Sequence, residues 1–189
     1  MKKVIACFLS LMLVFSVAVC FAEETEPFFA QFDGFVWSYC SGAGAWSTDM
    51  QIAPDGSFMG YFHDSDMGDA EDTYPNGTIY YCSFSGTLSL VEQIDEYSWK
   101  IRVDALNYVD KPAETIEDGV RYIYSPSCGL SEGDEMVLYR PGAPVANFSE
   151  DMAFWAHLYD YPEMPSELAN WFLSSEANNS GFEGTLIEQ

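Results

Sequence analysis

Basic residues are scarce in this sequence. Its 189 residues include 7 Lys and Arg against 30 Asp and Glu, which gives a formal net charge of −23 at pH 7. Proteins that bind nucleic acid neutralise its phosphates with Lys and Arg, so this composition argues against nucleic acid as a partner. The charge does not indicate disorder, because 48% of the residues are hydrophobic and 16% are aromatic, unlike the composition of unfolded chains.

Histidine and cysteine are also rare, with 2 and 5 residues respectively. The sequence has no C-x2-C pair, so a zinc site is not expected. Cys40, Cys82 and Cys128 lie beyond the apolar start of the chain and are expected to be small, buried apolar residues. One internal disulfide is the alternative, and the sequence does not determine its pairing. Because the G-x-S-x-G motif is missing as well, the sequence does not indicate a serine hydrolase.

Only one long hydrophobic run occurs, and it stands at the start of the chain. Two lysines precede the apolar stretch 4–19, and small residues follow at positions 20 and 22. This order predicts a secretory signal peptide over residues 1–22, cut before Glu23. A lipid anchor at Cys20 is the alternative, because residues 17–20 resemble a lipobox. We expect a secreted, extracytoplasmic or cell-surface protein with no membrane span, since spanning a bilayer takes about 20 apolar residues.

Alternation of apolar and polar residues with a period of two dominates the rest of the chain. This pattern is typical of strands with one buried face. It predicts strands at 34–40, 46–52, 57–63, 78–84, 86–93, 97–105, 119–124 and 134–140. Pro54-Asp55-Gly56 joins the second and third of these strands in a hairpin. We therefore expect a mainly β fold, a single antiparallel barrel or, as the alternative, a sandwich, of about seven to eight strands.

Short helices are expected after the strands. Ser149 is predicted to cap a helix that runs to His157, and Ser166 to cap a second helix over residues 167–173. The expected organisation is a signal peptide (1–22), an N-terminal extension (23–33), a single β domain (34–173) and a loose C-terminal tail (174–189).

Five carboxylates crowd into residues 64–72. Ca²⁺ binds six to eight oxygen ligands, and closely spaced Asp residues in a glycine-containing loop supply several of them. Asp64, Asp66, Asp69 and Asp72 are therefore candidate Ca²⁺ ligands, although the spacing does not match an EF-hand. The alternative is a solvated acidic loop.

Aromatic residues fall on most of the predicted strands. Most of these rings are expected to form the core, but a minority could line a ligand cavity, where rings stack on sugars or apolar ligands. Trp46, Tyr61 and Trp99 are the candidate ligand-binding residues. His63 follows a strand and precedes Asp64, which makes it either a surface residue or a partner of the acidic loop. No catalytic residue is assigned.

Two resemblances are carried by short motifs. The segments 35–46, 55–61, 63–69, 74–78 and 138–144 resemble secreted or lipoprotein chains of Gram-positive bacteria, a group with no function to transfer. Gly44-Ala45-Trp46 resembles the G-x-W motif in the first strand of lipocalins and other calycins, although here the motif falls in the second strand. A calycin relation implies an eight-stranded barrel with an internal ligand.

These patterns favour an extracytoplasmic binding or interaction module for a small molecule, sugar or cation, without catalysis. One alternative is a carboxylate-dependent hydrolase of the glycosidase kind, which needs two carboxylates about 5–9.5 Å apart in a cleft. Another is a surface protein without a small ligand, which should show a filled interior.

Overall fold

The structure, a computed structural model, describes residues 27–111 and 113–187 of the chain. The predicted signal peptide, its cut before Glu23 and the alternative lipid anchor at Cys20 lie outside the described residues. Within the described part, no helix is long and apolar enough to cross a bilayer.

The described residues form ten strands and a few short helices, so the expected mainly β fold is confirmed. The strands are β1 (Phe35–Cys40), β2 (Trp46–Ile52), β3 (Ser57–Asp66), β4 (Thr78–Gln93), β5 (Ser98–Tyr108), β6 (Glu114–Glu117), β7 (Val120–Tyr124), β8 (Glu135–Tyr139), β9 (Trp171–Ser175) and β10 (Ser180–Leu186). A 3-10 helix (Phe28–Phe32) precedes β1, and α1 (Glu150–Trp155) and a second 3-10 helix (Leu158–Asp160) lie between β8 and β9.

Eight of the strands close into one antiparallel barrel. From β1 to β5 each strand pairs with the next, β5 pairs with β8, and β8, β9 and β10 continue in sequence. β10 then pairs with β1, with Trp37 opposite Gly184. Because the last strand pairs with the first, the barrel is confirmed and the sandwich alternative is wrong.

The hairpin of β2 and β3 lies where the sequence predicts it. Gly56 has a φ of +83°, a conformation that glycine adopts without steric cost. The Asp55 carboxylate accepts a hydrogen bond of 2.9 Å from the backbone N–H of Ser57. Local turn chemistry therefore sets this hairpin, and the expected strand 46–52 coincides with β2.

β4 corrects the prediction of two strands at 78–84 and 86–93. It runs without a turn through Ser85 and Gly86, with register shifts after Thr87 and after Leu90. A Cβ on Gly86 would lie 2.1 Å from the carbonyl oxygen of Ala105. This glycine is therefore needed for a close backbone approach inside a long, bent strand, rather than for a turn.

β6 and β7 form a hairpin outside the barrel. β7 pairs in parallel with the first residues of β4, from Thr78 opposite Arg121 to Tyr81 opposite Tyr124. β6 pairs only with β7 in the described sheet. The long β4 makes this possible, because its second half pairs with β5 and its first half is left to β7.

Large side chains fill the barrel interior. Trp37 and Phe182 are completely buried, and Phe84 is 1% exposed. At one end of the barrel, the first 3-10 helix places the ring of Phe32 at 5.2 Å from Trp37 and 5.0 Å from Trp171. These rings occupy the centre and one mouth of the barrel, which is the filled interior expected of a surface protein without a small ligand.

The predicted helix at Ser149 is confirmed, and the one at Ser166 is wrong. The Ser149 hydroxyl accepts a hydrogen bond of 3.2 Å from the backbone N–H of Met152 at the start of α1. Residues 171–175 form strand β9 instead of the second helix. Trp171 and Leu173 point into the barrel, whereas Phe172 packs outward against Leu158 and Leu168. Both faces of β9 are buried, so the segment lacks the alternation of apolar and polar residues by which a strand with one buried face is recognised in the sequence.

The expected loose tail is also replaced by ordered structure, because residues 180–186 form β10. The low apolar content of this segment has a packing reason. A Cβ on Gly181 would lie 2.4 Å from the ring of Phe172, and one on Gly184 would lie 3.0 Å from the ring of Trp37. β10 therefore leaves room for the rings of other strands.

Candidate functional site

Strand register aligns rows of polar and aromatic side chains on the outer face of β1 to β4. Asp49 of β2 lies opposite Ser38 of β1 and opposite Tyr61 of β3. In the next row, Ser47 lies opposite His63. Because successive side chains of a strand point to opposite faces, these five residues share the solvent side of the barrel. We call them the outer-face cluster.

Asp49 is the centre of this cluster. Its Oδ1 accepts a hydrogen bond of 2.5 Å from the hydroxyl of Ser38, and its Oδ2 accepts one of 2.5 Å from the hydroxyl of Ser47. Ser47 Oγ also lies 3.2 Å from Nδ1 of His63. Hydrogen bonds to a carboxylate are about twice as strong as neutral ones, so Asp49 fixes the orientation of both hydroxyls.

This arrangement does not activate Ser47 as a nucleophile. A serine hydroxyl has one proton, and Ser47 uses it in the hydrogen bond that it donates to Asp49 Oδ2. The Ser47–His63 contact is then made with Nδ1 of His63 as the donor. A serine nucleophile must instead pass its proton to the histidine. The cluster therefore presents fixed polar groups, as recognition requires.

Tyr61 supplies an accessible aromatic surface. It is 45% exposed, and its ring is stacked on that of His63 with centroids 6.3 Å apart and an interplanar angle of 22°. Partial burial, and then the neighbouring Tyr81 and Asp110, raise the pKa of Tyr61 above its ordinary value. Its hydroxyl therefore stays protonated at neutral pH and can both donate and accept hydrogen bonds.

A groove of about 520 Å³ runs over this face, with Val36, Asp49, Met59, Tyr61 and Val109 among its lining residues. Met59 and Val109 are each 67% exposed. A second groove, of about 670 Å³, adjoins the first and shares Met59 with it. The first groove thus combines apolar contact area with the carboxylate of Asp49, which is the composition of many small-molecule sites.

The structure does not bring the three predicted ligand-binding residues together. Trp46 packs at one end of the barrel, with ring centroids 4.8 Å from Tyr39 and 6.3 Å from Trp155. Trp99 packs at the opposite end, 6.0 Å from Trp171. Only Tyr61 lines the groove. The other two tryptophans belong to the core, which was the expectation for most aromatic residues.

The acidic loop is organised around Arg121. The guanidinium of Arg121 forms an ion pair with Asp69 and lies 4.3 Å over the ring of Tyr74. Partial burial opposes ionisation of Asp69, but the hydrogen bond with Thr78 and the ion pair outweigh it, so the pKa of Asp69 is lowered. Asp66 Oδ1 accepts the backbone N–H of Asp69 at 3.1 Å. These bonds tie the loop to the first residues of β7.

Within the described ranges, no group of three or more His, Cys, Asp or Glu side chains is placed to hold a metal ion. Asp64 and Asp66 belong to β3, whereas Asp69 and Asp72 lie in the loop that follows. Ca²⁺ binding by these four residues stays a prediction that needs a direct measurement.

The three cysteines of the described chain are free thiols. Cys82 is completely buried, as expected, but Cys40 is only half-buried and Cys128 is exposed. Burial raises the pKa of the Cys82 thiol to about 11. The Thr48 hydroxyl donates a hydrogen bond of 2.9 Å to the carbonyl oxygen of Cys128, which ties the loop after β7 to the barrel.

Sequence reasoning missed Ser38, Asp49 and Met59 as site residues. The alternation in β2 does place Ser47, Asp49 and Gln51 on one face. What the sequence lacked was the register that sets this face beside Ser38 and Tyr61.

Comparison of this chain with protein-family models, with curated proteins and with solved structures found no match.

Proposed function

We propose that this protein is an extracytoplasmic binding module that recognises a sugar in the outer groove. The exposed ring of Tyr61 beside the hydrogen-bonded Asp49 carries the proposal. Aromatic rings stack on the apolar faces of sugars. Carboxylates accept hydrogen bonds from sugar hydroxyls, and protein hydroxyls both donate and accept them. The extracytoplasmic location rests on the signal-peptide pattern of residues 1–22, in which two lysines are followed by an apolar stretch and then by small residues. The resemblance to secreted chains of Gram-positive bacteria agrees with it.

The filled interior is the feature expected of a surface protein without a small ligand, so a binding site for a sugar would have to lie on the outside of the barrel. In a calycin relation the ligand would lie inside the barrel, but here Trp37, Phe84 and Phe182 occupy that space. The calycin relation itself is supported by the eight-stranded closed barrel and by a buried tryptophan in β1. The G-x-W match at Gly44-Ala45-Trp46 does not support it, because Trp46 begins β2.

A carboxylate-dependent hydrolase receives less support from the same face. Both oxygens of Asp49 already accept hydrogen bonds from serine hydroxyls. A glycosidase needs one carboxylate free to donate a proton and another free to attack or to activate water. The bonds of Asp49 suit a fixed wall of a binding site better than either role.

The proposal is tested by titrating the protein with a panel of neutral soluble oligosaccharides in a calorimeter. The panel contains glucose-, galactose-, mannose- and N-acetylglucosamine-based chains. We expect at least one to bind, and Tyr61→Ala to weaken it about tenfold or more, which corresponds to about 1.4 kcal/mol. Asp49→Asn keeps the shape of the site but replaces one carboxylate oxygen by a donor, so it should also weaken binding.

Tyr159→Ala is the matched control, because Tyr159 is 54% exposed but lies in the segment between β8 and β9. It should leave the affinity unchanged. Binding by no member of the panel would overturn the sugar proposal, as would an equal loss of affinity in the Tyr61 and Tyr159 variants.

A further inference from the structure

β6 is the open edge of an otherwise closed sheet. Among the described strands it stands last in the sheet order and pairs with β7 alone. A barrel removes its own edges by closure, but the β6–β7 hairpin lies outside that closure. The outer side of β6 therefore offers backbone groups on which a further strand can pair.

The hairpin holds this edge in a fixed place. Its two-residue turn, Asp118-Gly119, has φ values of +49° and +75°, the left-handed pair that matches the twist of a tight hairpin. The Asn76 side-chain amide donates a hydrogen bond of 3.0 Å to the carbonyl oxygen of Asp118. The ion pair of Arg121 with Asp69 adds a further tie.

The pairing pattern identifies the free groups. The N–H of Arg121, opposite Ile116, donates to Gly77 at 3.0 Å on the side away from β6. In an antiparallel pair, hydrogen-bonded and non-bonded positions alternate. The N–H and C=O groups of Ile116 and Glu114 thus point away from β7, and none of the described residues hydrogen-bonds to them.

The side chains of the edge define the partner. All four residues of β6 are exposed, and Ile116 is 49% exposed. By alternation, Glu114 and Glu117 carry a carboxylate on opposite faces of the strand. A second copy of this chain, added antiparallel on β6, would set side by side two strands that carry glutamates and no basic residue, and two chains of formal charge −23 repel each other. A cationic strand would be attracted on both faces.

We propose that the edge of β6 binds an extended, cationic peptide segment of another protein, which adds to the sheet as an eleventh strand. Main-chain hydrogen bonds to Glu114 and Ile116 supply affinity, and lysine or arginine side chains opposite Glu114 and Glu117 supply selectivity. This edge belongs to the β6–β7 hairpin and is independent of the proposed sugar site.

The probe is a fluorescently labelled peptide that contains the sequence Lys-Thr-Thr-Lys, followed by anisotropy at low ionic strength. Its two lysines are three residues apart and therefore lie on opposite faces of an extended strand, as Glu114 and Glu117 do. The Glu114→Gln/Glu117→Gln double variant should bind it about tenfold more weakly than the unaltered protein. Glu163→Gln/Glu167→Gln is the matched control, because it removes the same charge from two exposed residues between β8 and β9. An equal loss of binding in both variants would mean unspecific attraction and would overturn the proposal.

Amide hydrogen exchange separates strand addition from mere charge attraction. With the peptide bound, the amides of Glu114 and Ile116 should exchange at least about tenfold more slowly, while that of Thr115, which faces β7, should change little. Unchanged exchange at Glu114 and Ile116 would overturn the proposal. So would failure of the peptide to bind, or sedimentation showing that the protein alone dimerises and that the dimer protects these amides.

Discussion

The rings inside the barrel decide which residues stand opposite them. Gly60 of β3 points inward, where an added Cβ would lie 2.3 Å from Cζ of Phe84 and 2.5 Å from the carbonyl oxygen of Asp49. Protein interiors are packed as densely as organic crystals, so there is no space at this position for an added Cβ. Glycine is the residue that allows Phe84 to lie across the strand.

Gly60→Ala should therefore destabilise the protein by about 1–3 kcal/mol, the cost of an extra methyl group in a packed core. Gly68→Ala is the control, because its Cβ would meet only the exposed carboxylate of Asp66, at 3.3 Å. Urea unfolding followed by tryptophan fluorescence compares the two variants. An equal effect in both would contradict the packing argument.

Cys82 links burial to pH dependence. Desolvation disfavours the thiolate, so the pKa of this thiol is raised to about 11 in the folded protein, whereas a free thiol has a pKa of about 8.5. A pKa raised in the folded state means that the unfolded chain loses its proton first. The contribution of Cys82 to stability is therefore complete below about pH 8.5 and is lost as pH rises towards the folded pKa.

Cys82→Ala should remove this alkaline loss. The free energy of unfolding of the unaltered protein should fall more steeply than that of the variant as the pH rises above about 8.5. The difference between the two proteins isolates Cys82 from the tyrosines and lysines that titrate in the same range. Parallel pH profiles would show that Cys82 does not carry the effect.

At the scale of elements, short-range signals succeeded where a residue acts on its own neighbours. The turn at Pro54-Asp55-Gly56 and the cap at Ser149 depend on contacts a few residues apart, and both are present. The two strands predicted at 78–84 and 86–93 and the helix predicted at 167–173 are wrong because distant elements decide the structure of these segments. Gly86 is fixed by the approach of β5, and the alternation of β9 is hidden by the segment that packs on Phe172.

The two serine caps provide a test of that difference. Ser149→Ala removes the hydrogen bond to the N–H of Met152 and should cost about 1 kcal/mol. Ser166→Ala, at the site where the sequence predicts a cap but the structure has none, should cost nothing measurable. Thermal unfolding of both variants gives the comparison, and a destabilised Ser166→Ala would contradict the structure after Pro165.

The whole molecule carries a formal charge of −23, and this self-repulsion opposes the compact state. The Debye length, over which charges interact before salt screens them, shortens from about 30 Å at 0.01 M salt to about 10 Å at 0.1 M. The melting temperature should therefore rise with NaCl, by about 2–4 °C for each 1 kcal/mol of relieved repulsion. Scanning calorimetry across this range measures it.

The same measurement addresses calcium. CaCl2 at matched ionic strength should shift the melting temperature no more than NaCl if screening alone acts. A larger shift that Asp66→Ala abolishes would instead indicate a Ca²⁺ site in the acidic loop. A melting temperature that is insensitive to every salt would contradict the repulsion argument.

Part of the candidate site followed from the sequence, and the rest required the fold. The place of Tyr61 on a predicted strand makes it a candidate, and it lines the groove. The same reasoning makes Trp46 and Trp99 candidates, yet they pack at opposite ends of the barrel. A residue type and a period of two do not say which face of a strand is inside, and no local pattern pairs Asp49 with Ser38.

The sequence by itself determined the mainly β character, the bounds of β2 and its hairpin, and the strong negative charge. Alternation and turn residues act on neighbouring residues of the chain, and the net charge is the sum of the ionised groups. Only the tertiary structure decided that β10 closes the barrel on β1, that rings fill its interior and that the groove lies outside. Those features depend on which distant side chains share a volume, and a glycine such as Gly184 makes sense only once Trp37 lies against it.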